Sequence, residues 1–200
     1  MTKAVWGRAV WVAIAAVALG SVSCGELTRE GQSTAYLVVQ SLEGARGDAT
    51  SEFSGVLASD VESLVDGQST IFADVGRATF VLRLKDPGSP TAPNTASPNN
   101  AITVNRYRVT YIRSDGRNTP GVDVPYGFDG AVTLTVSGEA TAEFTLVRVT
   151  AKQEAPLAAL RFSPVFIDTI AEVTFYGRDQ TGREASAVGR ISVNFGNYGG

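Results

Sequence analysis

IAEVTFYGRDQTGREASAVGRISVNF, residues 170–195, is the stretch that decides the predicted fold. Apolar and polar residues alternate in both of its halves, as in strands with one buried face. The apolar members of the pattern are Ala171, Val173, Phe175, Ile191, Val193 and Phe195. Between the halves, Gln180-Thr181-Gly182 supplies turn chemistry. The stretch therefore predicts a β-hairpin.

The same two-residue period recurs upstream and predicts further strands. Tyr36 to Leu42 reads YLVVQSL, and residues 76–85 read GRATFVLRLK. In the second of these, one face is apolar and consists of Ala78, Phe80, Leu82 and Leu84. Similar patterns predict strands over residues 101–113, 132–137 and 142–149.

Within residues 101–113 the alternation changes phase. Ile102 and Val104 are apolar at even positions, whereas Tyr107, Val109 and Tyr111 are apolar at odd ones. A β-bulge near Asn105–Arg106 would produce this slip, because one extra residue reverses the face of every side chain that follows it. Partial burial of both faces is the alternative interpretation.

Three segments between the strands are not simple alternating runs. Leu57 to Val65 has apolar residues at helical spacing, with Ser54 as a cap and Gly67 as an end, so it predicts either a helix or two short strands with a bend at Asp60. Residues 86–100 contain four prolines and three asparagines and predict a long surface loop. Residues 114–130 form a second polar connection.

Seven or eight strands joined by turn-rich segments favour an all-β antiparallel sandwich, with a closed barrel as the alternative. The hairpin AEVTFYGRDQTGREASAVGRISVNF resembles the last two strands of immunoglobulin-like or fibronectin-III-like domains. More broadly, residues 76–196 are similar to envelope lipoproteins of Gram-negative soil bacteria that have this architecture. The resemblance implies an immunoglobulin-like β-sandwich and carries no catalytic motif.

The amino terminus has the three parts of a signal peptide. Lys3 and Arg8 supply its positive charge, Ala9 to Leu19 form an apolar run, and small residues follow. We expect residues 1–23 to be a helical signal peptide, 24–32 a tether and 33–200 the β-sandwich domain.

Leu19-Gly20-Ser21-Val22-Ser23-Cys24 resembles the lipobox of bacterial lipoproteins, although Ser21 stands where that motif normally has an aliphatic residue. The resemblance implies that the single cysteine of the chain, Cys24, carries acyl chains such as palmitate and anchors the protein to a membrane. Gly25 follows instead of the aspartate that marks inner-membrane retention, which implies the outer membrane, at its periplasmic face or the cell surface.

Composition excludes several classes of function. Without histidine, and with one cysteine, the chain has no imidazole base, internal disulfide or His-bound zinc site. Removing residues 1–23 takes away two of the 17 basic side chains and none of the 20 acidic ones, so the net side-chain charge becomes −5. This balance argues against nucleic-acid binding. Carboxylate chemistry, Ser-Lys chemistry and oxygen-ligated calcium remain chemically available.

Three groups of oxygen-bearing residues could carry chemistry. Asp115 to Asn118 and Asp179 to Glu184 place oxygens near glycine, as calcium loops do, but such residues are also ordinary turn formers. Asp123, Asp129 and Glu139 could supply a carboxylate pair for glycoside hydrolysis, but nothing orients an acid against a base. We therefore expect no enzyme activity, no cofactor and no metal.

The sequence favours a non-enzymatic, lipid-anchored envelope protein that acts in protein–protein interaction or scaffolding. Its partners would be the membrane, through lipidated Cys24, and another envelope protein. The alternative is a module that binds a small ligand or glycan with loops 86–100 and 114–130, with Tyr126 and Phe128 around a pocket.

Arg106, Arg108 and Arg113 lie close together on one predicted strand, with Arg106 and Arg108 on one face if that strand is regular. They form either an anion-binding or partner-docking patch or a solvated sheet face that pairs with acids across the strands.

Overall fold

The computed structural model describes residues 32–198, which form an all-β structure. The predicted signal peptide, Cys24 and the tether as far as residue 31 lie outside the described residues. In chain order the strands are β1 (Ala35–Ala45), β2 (Val56–Asp60), β3 (Ser63–Val65), β4 (Gln68–Thr70), β5 (Asp74–Leu84), β6 (Gly88–Ser89), β7 (Ala92–Pro93), β8 (Ile102–Ile112), β9 (Phe128–Val136), β10 (Glu139–Val147), β11 (Ile167–Asp179) and β12 (Glu184–Gly196).

Eight of these strands form two main sheets. One sheet has the order β1-β5-β10 and the other β2-β12-β11-β8-β9. All neighbours in the two sheets are antiparallel except β2 and β12, which run parallel. The remaining strands form the two small hairpins β3-β4 and β6-β7.

The apolar faces of both main sheets contribute to one hydrophobic cluster. Phe80 of β5 meets Phe175 of β11 edge to face, with ring centroids 4.8 Å apart. Phe144 of β10 contacts the same Phe175 ring at 5.3 Å and the Tyr107 ring of β8 at 4.9 Å. These edge-to-face contacts join the two sheets, because each pairs a ring from one sheet with a ring from the other.

The predicted terminal hairpin is confirmed. β11 and β12 pair from Ile167↔Phe195 to Arg178↔Glu184, and the apolar residues of the alternating pattern face the core. In the turn, Gly182 has a φ of +84° and its N–H donates to the Asp179 carbonyl over 3.0 Å. A positive φ favours glycine, which explains why this position of the turn carries one.

The phase slip in β8 is a β-bulge. The pairing of β8 shifts register between Val104 and Arg106 against β9, and at the same place against β11. Val104 and Tyr107 are buried, whereas Asn105 and Arg106 between them are exposed. The extra residue returns Tyr107, Val109 and Tyr111 to the core face, as the bulge interpretation predicts.

The helix predicted for Leu57 to Val65 is wrong, and the alternative of two short strands is confirmed. β2 ends at Asp60 and β3 begins at Ser63. β2 pairs with the edge of β12, and its Leu57 is 2% exposed. A short helix has little stability by itself. The strand is favoured because it pairs its backbone with an open sheet edge and buries Leu57.

The connection between β10 and β11 also differs from the prediction. β10 ends at Val147, and Val149, predicted as strand, begins the short α-helix α1 (Val149–Gln153). A 3-10 helix over Leu157–Phe162 follows and buries Leu157 and Leu160. Among residues 32–198, no helix has the length and apolar character needed to cross a bilayer.

Candidate functional site

The chain enters the domain at the end formed by the β11–β12 turn, here called the proximal end. Ser33 N–H donates to the Glu184 carbonyl over 3.1 Å, and Asn100 Nδ2 donates to Thr34 Oγ1 over 2.8 Å. The second contact places the loop of residues 86–100 at this same end. The turn at 137–138 also belongs here, because Leu82 N–H donates to the Gly138 carbonyl over 2.8 Å.

The opposite, distal end holds the other connections. β8 ends and β11 begins there, because Ile112 pairs with Ile170. β1, β10 and β12 also end there, so the segments at the distal end are residues 46–55, 113–127, 148–166 and 197–198. Strands of 11 to 13 residues separate the two ends, a distance of roughly 35–45 Å at about 3.3 Å per residue.

This topology does not bring the two predicted binding loops together. Loop 86–100 is proximal, whereas the connection within 114–130 is distal. Tyr126 is 52% exposed, and its ring stacks closely over Gly121. Phe128 is 7% exposed and packs in the core against Tyr107, with the Arg148 guanidinium over its ring. A pocket shared by the two loops does not form.

Arg106 and Arg108 lie on the solvated face of the five-stranded sheet. Arg108 Nη1 bonds Asp129 Oδ2 of the adjacent strand over 2.8 Å, and both side chains are about half exposed. The Arg106 guanidinium lies over the Tyr176 ring, 4.4 Å from its centroid. Exposed pairs of this kind contribute about 0–1 kcal/mol, so both arginines already have ordinary cross-strand partners.

The segments that place oxygens near glycine, as calcium loops do, form hydrogen bonds within their own turns. Asp115 accepts from Arg113 and Arg117, and these contacts hold the pKa of the Asp115 carboxyl far below its ordinary value. Asp123 accepts from the Thr119 N–H over 3.2 Å. Within residues 32–198, no group of three or more carboxylate, histidine or cysteine side chains converges as metal ligands would.

Asp179 organises the turn between β11 and β12. Its Oδ1 accepts from Thr181 N–H over 2.9 Å, Thr181 Oγ1 over 2.7 Å and Arg183 N–H over 3.0 Å. Desolvation raises the pKa of the carboxyl, but the hydrogen bonds outweigh it and hold the pKa below its ordinary value.

Asp179→Asn is expected to lower stability at neutral pH and to flatten its acid dependence. A lowered folded-state pKa stabilises the fold above the unfolded pKa of about 3.9, and this stabilisation is lost as pH falls through the folded value. The asparagine oxygen still accepts hydrogen bonds but does not titrate. Urea unfolding between about pH 2 and pH 7 measures the slope. Asp66→Asn makes the same change at an exposed turn residue and is the control. Equal acid slopes for wild type and Asp179→Asn would contradict the prediction.

Ser59 and Lys152 lie together, as Ser-Lys chemistry would need, but an aspartate stands between them. Ser59 Oγ donates to Asp74 Oδ2 over 2.5 Å, and Lys152 Nζ donates to Asp74 Oδ1 over 2.8 Å. All three side chains are at most 1% exposed. An external substrate therefore has no direct access to this buried cluster.

The most distinctive surface is a set of exposed apolar side chains at the distal end. Val56, Ile170 and Ile112 share one row across the five-stranded sheet, with Ser192 between the first two. Phe166 covers Gly196 and contacts Tyr198, with ring centroids 5.2 Å apart. We call this surface the distal patch. Its members are Val56, Ile112, Phe162, Val165, Phe166, Ile170 and Tyr198.

Exposed apolar side chains are distributed unevenly between the two ends. Of the 14 large apolar side chains exposed within residues 32–198, Tyr36, Val38 and Val188 lie elsewhere on the strands, and the others lie at the distal end or in segments attached to it. Phe162 is 91% exposed and Phe166 48%. Sequence reasoning missed this patch, because FSPVF at 162–166 carries no alternating pattern that assigns a face.

Comparison with known proteins gives no match: no family model, no curated protein and no solved structure is similar to this chain at a significant level.

Proposed function

We propose that this protein is a non-enzymatic, lipid-anchored envelope protein whose immunoglobulin-like β-sandwich binds a partner protein through the distal patch. The single observation that carries the proposal is the concentration of exposed aromatic and aliphatic side chains at the end opposite to the point where the chain enters the domain. Exposed apolar clusters commonly mark interaction sites in soluble domains.

The strand order supports the immunoglobulin-like part of the proposal. A three-stranded sheet of β1, β5 and β10 faces a sheet in which β8, β11 and β12 are adjacent. Immunoglobulin-like domains divide their first, second and fifth strands from their third, sixth and seventh in this way. The additional strands β2 and β9 extend the second sheet at its two edges.

The lipid anchor rests on the signal-peptide pattern and the lipobox resemblance around Cys24. A tether of about nine residues, at most roughly 30 Å long, would join this anchor to the proximal end. The distal patch is thus on the side of the domain away from the point of attachment. The outer membrane is proposed because Gly25 follows the cysteine.

The chemistry of the distal patch suits a protein partner. Phe162, Phe166 and Tyr198 are large aromatic side chains, a class that is enriched at protein interfaces. Asp168 is exposed on β11 between Phe166 and Ile170 of the patch, and it offers a carboxylate to a basic group of the partner. A net side-chain charge of −5 after cleavage gives no electrostatic attraction to anionic lipid, which favours a protein over a membrane surface.

Phe162→Asp is expected to reduce recovery of the partner at least tenfold. The change replaces an aromatic member of the distal patch with a charge, and loss of one anchoring aromatic costs an interface about 2 kcal/mol or more. The experiment extracts the tagged full-length protein from native membranes in mild detergent and quantifies what is recovered with it. The side chain is almost fully exposed, so the substitution should leave the fold intact.

Two variants serve as controls. Tyr36→Asp makes a comparable change at an exposed aromatic on the proximal half and should leave recovery of the partner unchanged. Cys24→Ser should move the protein from the membrane fraction to the soluble fraction. The docking proposal is wrong if wild type is recovered alone or if Phe162→Asp and Tyr36→Asp recover the same proteins equally.

A further inference from the structure

The buried cluster of Asp74, Lys152 and Ser59 joins three segments that are distant in sequence. Asp74 begins β5, Lys152 lies on α1 and Ser59 on β2. Asp74 and Lys152 are each 1% exposed, and Lys152 Nζ is 2.8 Å from Asp74 Oδ1. Lysine is almost never fully buried without a partner, so the amine and the carboxyl are held in contact away from water.

We propose that Lys152 and Asp74 form a modification site at which the chain crosslinks itself, through an amide bond between Lys152 Nζ and Asp74 Cγ with release of one water molecule. The proposal concerns the chain's own chemistry and does not depend on the distal patch or on a partner.

The reaction balances without an oxidant, a reductant or another reactant. One proton passes from the Lys152 ammonium to the Asp74 carboxylate, which gives a neutral amine and a carboxylic acid. The amine nitrogen forms a bond to Cγ, and the bond from Cγ to Oδ2 breaks. Oδ2 leaves as water with the acid proton and a second proton from the nitrogen. Oδ1 remains as the amide oxygen, and an ion pair has become a neutral amide.

The hydrogen bonds around the Asp74 carboxyl suit these steps. Gly47 N–H donates to Oδ1 over 3.0 Å, which places a fixed backbone donor at the oxygen that becomes negative during attack. Ser59 Oγ lies 2.5 Å from Oδ2, the oxygen that leaves, and its hydroxyl can pass a proton to it. Oδ1, which stays as the amide oxygen, therefore accepts from a fixed backbone N–H, whereas Oδ2, which leaves as water, accepts from a hydroxyl.

Burial supplies the driving force. An ion pair loses the solvation of two charges when it is enclosed, a cost of several kcal/mol per ion that a neutral amide avoids. Burial also raises the pKa of the Asp74 carboxyl, against the opposing effects of Lys152, Ser59 and the Gly47 N–H, and so favours the neutral acid. Reactants held in contact behave as though their concentration were about 10⁵–10⁸ M.

Mass spectrometry of the purified wild-type protein tests the proposal directly. The intact mass is expected to be lower by one water than that of the same chain with free side chains. Trypsin should leave Lys152 uncleaved and release peptide 47–77 joined to peptide 149–161. Fragmentation should place the junction at Asp74 and Lys152. Full intact mass together with free peptides 149–152, 153–161 and 47–77 would overturn it.

Matched variants identify the groups involved. Lys152→Arg keeps a positive charge but lacks the nucleophilic amine, so it should have full mass. Asp74→Ala removes the carboxyl and should also have full mass. Ser59→Ala keeps both reacting groups and should show a smaller crosslinked fraction than wild type at equal times after synthesis. A water loss that persists in Lys152→Arg would place the lost water elsewhere and contradict the assignment.

Discussion

Phe175→Ala is expected to lower the free energy of unfolding by about 3–5 kcal/mol. The side chain is 0% exposed and its ring contacts Phe80, Phe144 and Tyr107. Truncation removes apolar burial and leaves a cavity where rings from both sheets meet, and the surrounding β-sheets can close around it only partly. Urea unfolding followed by far-ultraviolet circular dichroism measures the change.

Phe162→Ala is the matched control for this prediction. It removes the same atoms from a side chain that is 91% exposed, so its effect on stability should lie within about 0.5 kcal/mol of zero. If the two variants unfold at similar urea concentrations, Phe175 does not have the central role in packing that its contacts indicate.

Lys152→Met is expected to destabilise the protein by about 3–5 kcal/mol. The variant leaves the Asp74 carboxylate buried, with the Ser59 hydroxyl and the Gly47 N–H as its remaining partners. The variant has neither the ion pair nor the amide, so Asp74 is left buried without its partner whichever of the two wild type carries. Thermal and urea unfolding measure the loss.

The double variant Lys152→Met with Asp74→Asn separates the buried charge from the loss of the lysine. Asparagine keeps an oxygen for the Gly47 N–H and a polar contact for Ser59 but carries no charge. The double variant should therefore be more stable than Lys152→Met alone. A single variant within about 1 kcal/mol of wild type, or a double variant less stable than the single one, would contradict a buried charge at Asp74.

Much of the β-structure was predictable because its signals are local. Ala78 and Phe80 of β5 are fully buried, as their alternation indicates. The change of phase in β8 was visible in the sequence, and the structure assigns it to a bulge at Asn105, because one extra residue reverses the two-residue side-chain period of a strand. Turn chemistry likewise predicted the terminal hairpin around Gly182.

The candidate site was less predictable, because surfaces depend on which segments come together. In the alternative interpretation of the sequence, Tyr126 and Phe128 surround a pocket, yet Tyr126 is exposed at the distal end and Phe128 is in the core. The sequence analysis also assigned loops 86–100 and 114–130 to one binding site, but the two loops lie at opposite ends of the domain. Local composition identifies both as loops but contains no information about the end of the sheet at which each lies.

The sequence by itself determined that this is an all-β chain with a terminal hairpin and a change of phase in one strand, and it predicts a signal peptide at the amino terminus. The side-chain period of a strand, the residues of a turn and the order of charged and apolar residues in a signal peptide are local patterns. They can therefore be recognised without knowledge of the fold. The tertiary structure alone decided that Leu57 enters a strand beside β12, that Lys152 meets Asp74 from 78 residues away and that Phe162 and Tyr198 share one end. Each of these arrangements brings together residues that are distant in sequence, so it depends on how the strands and connections pack in three dimensions.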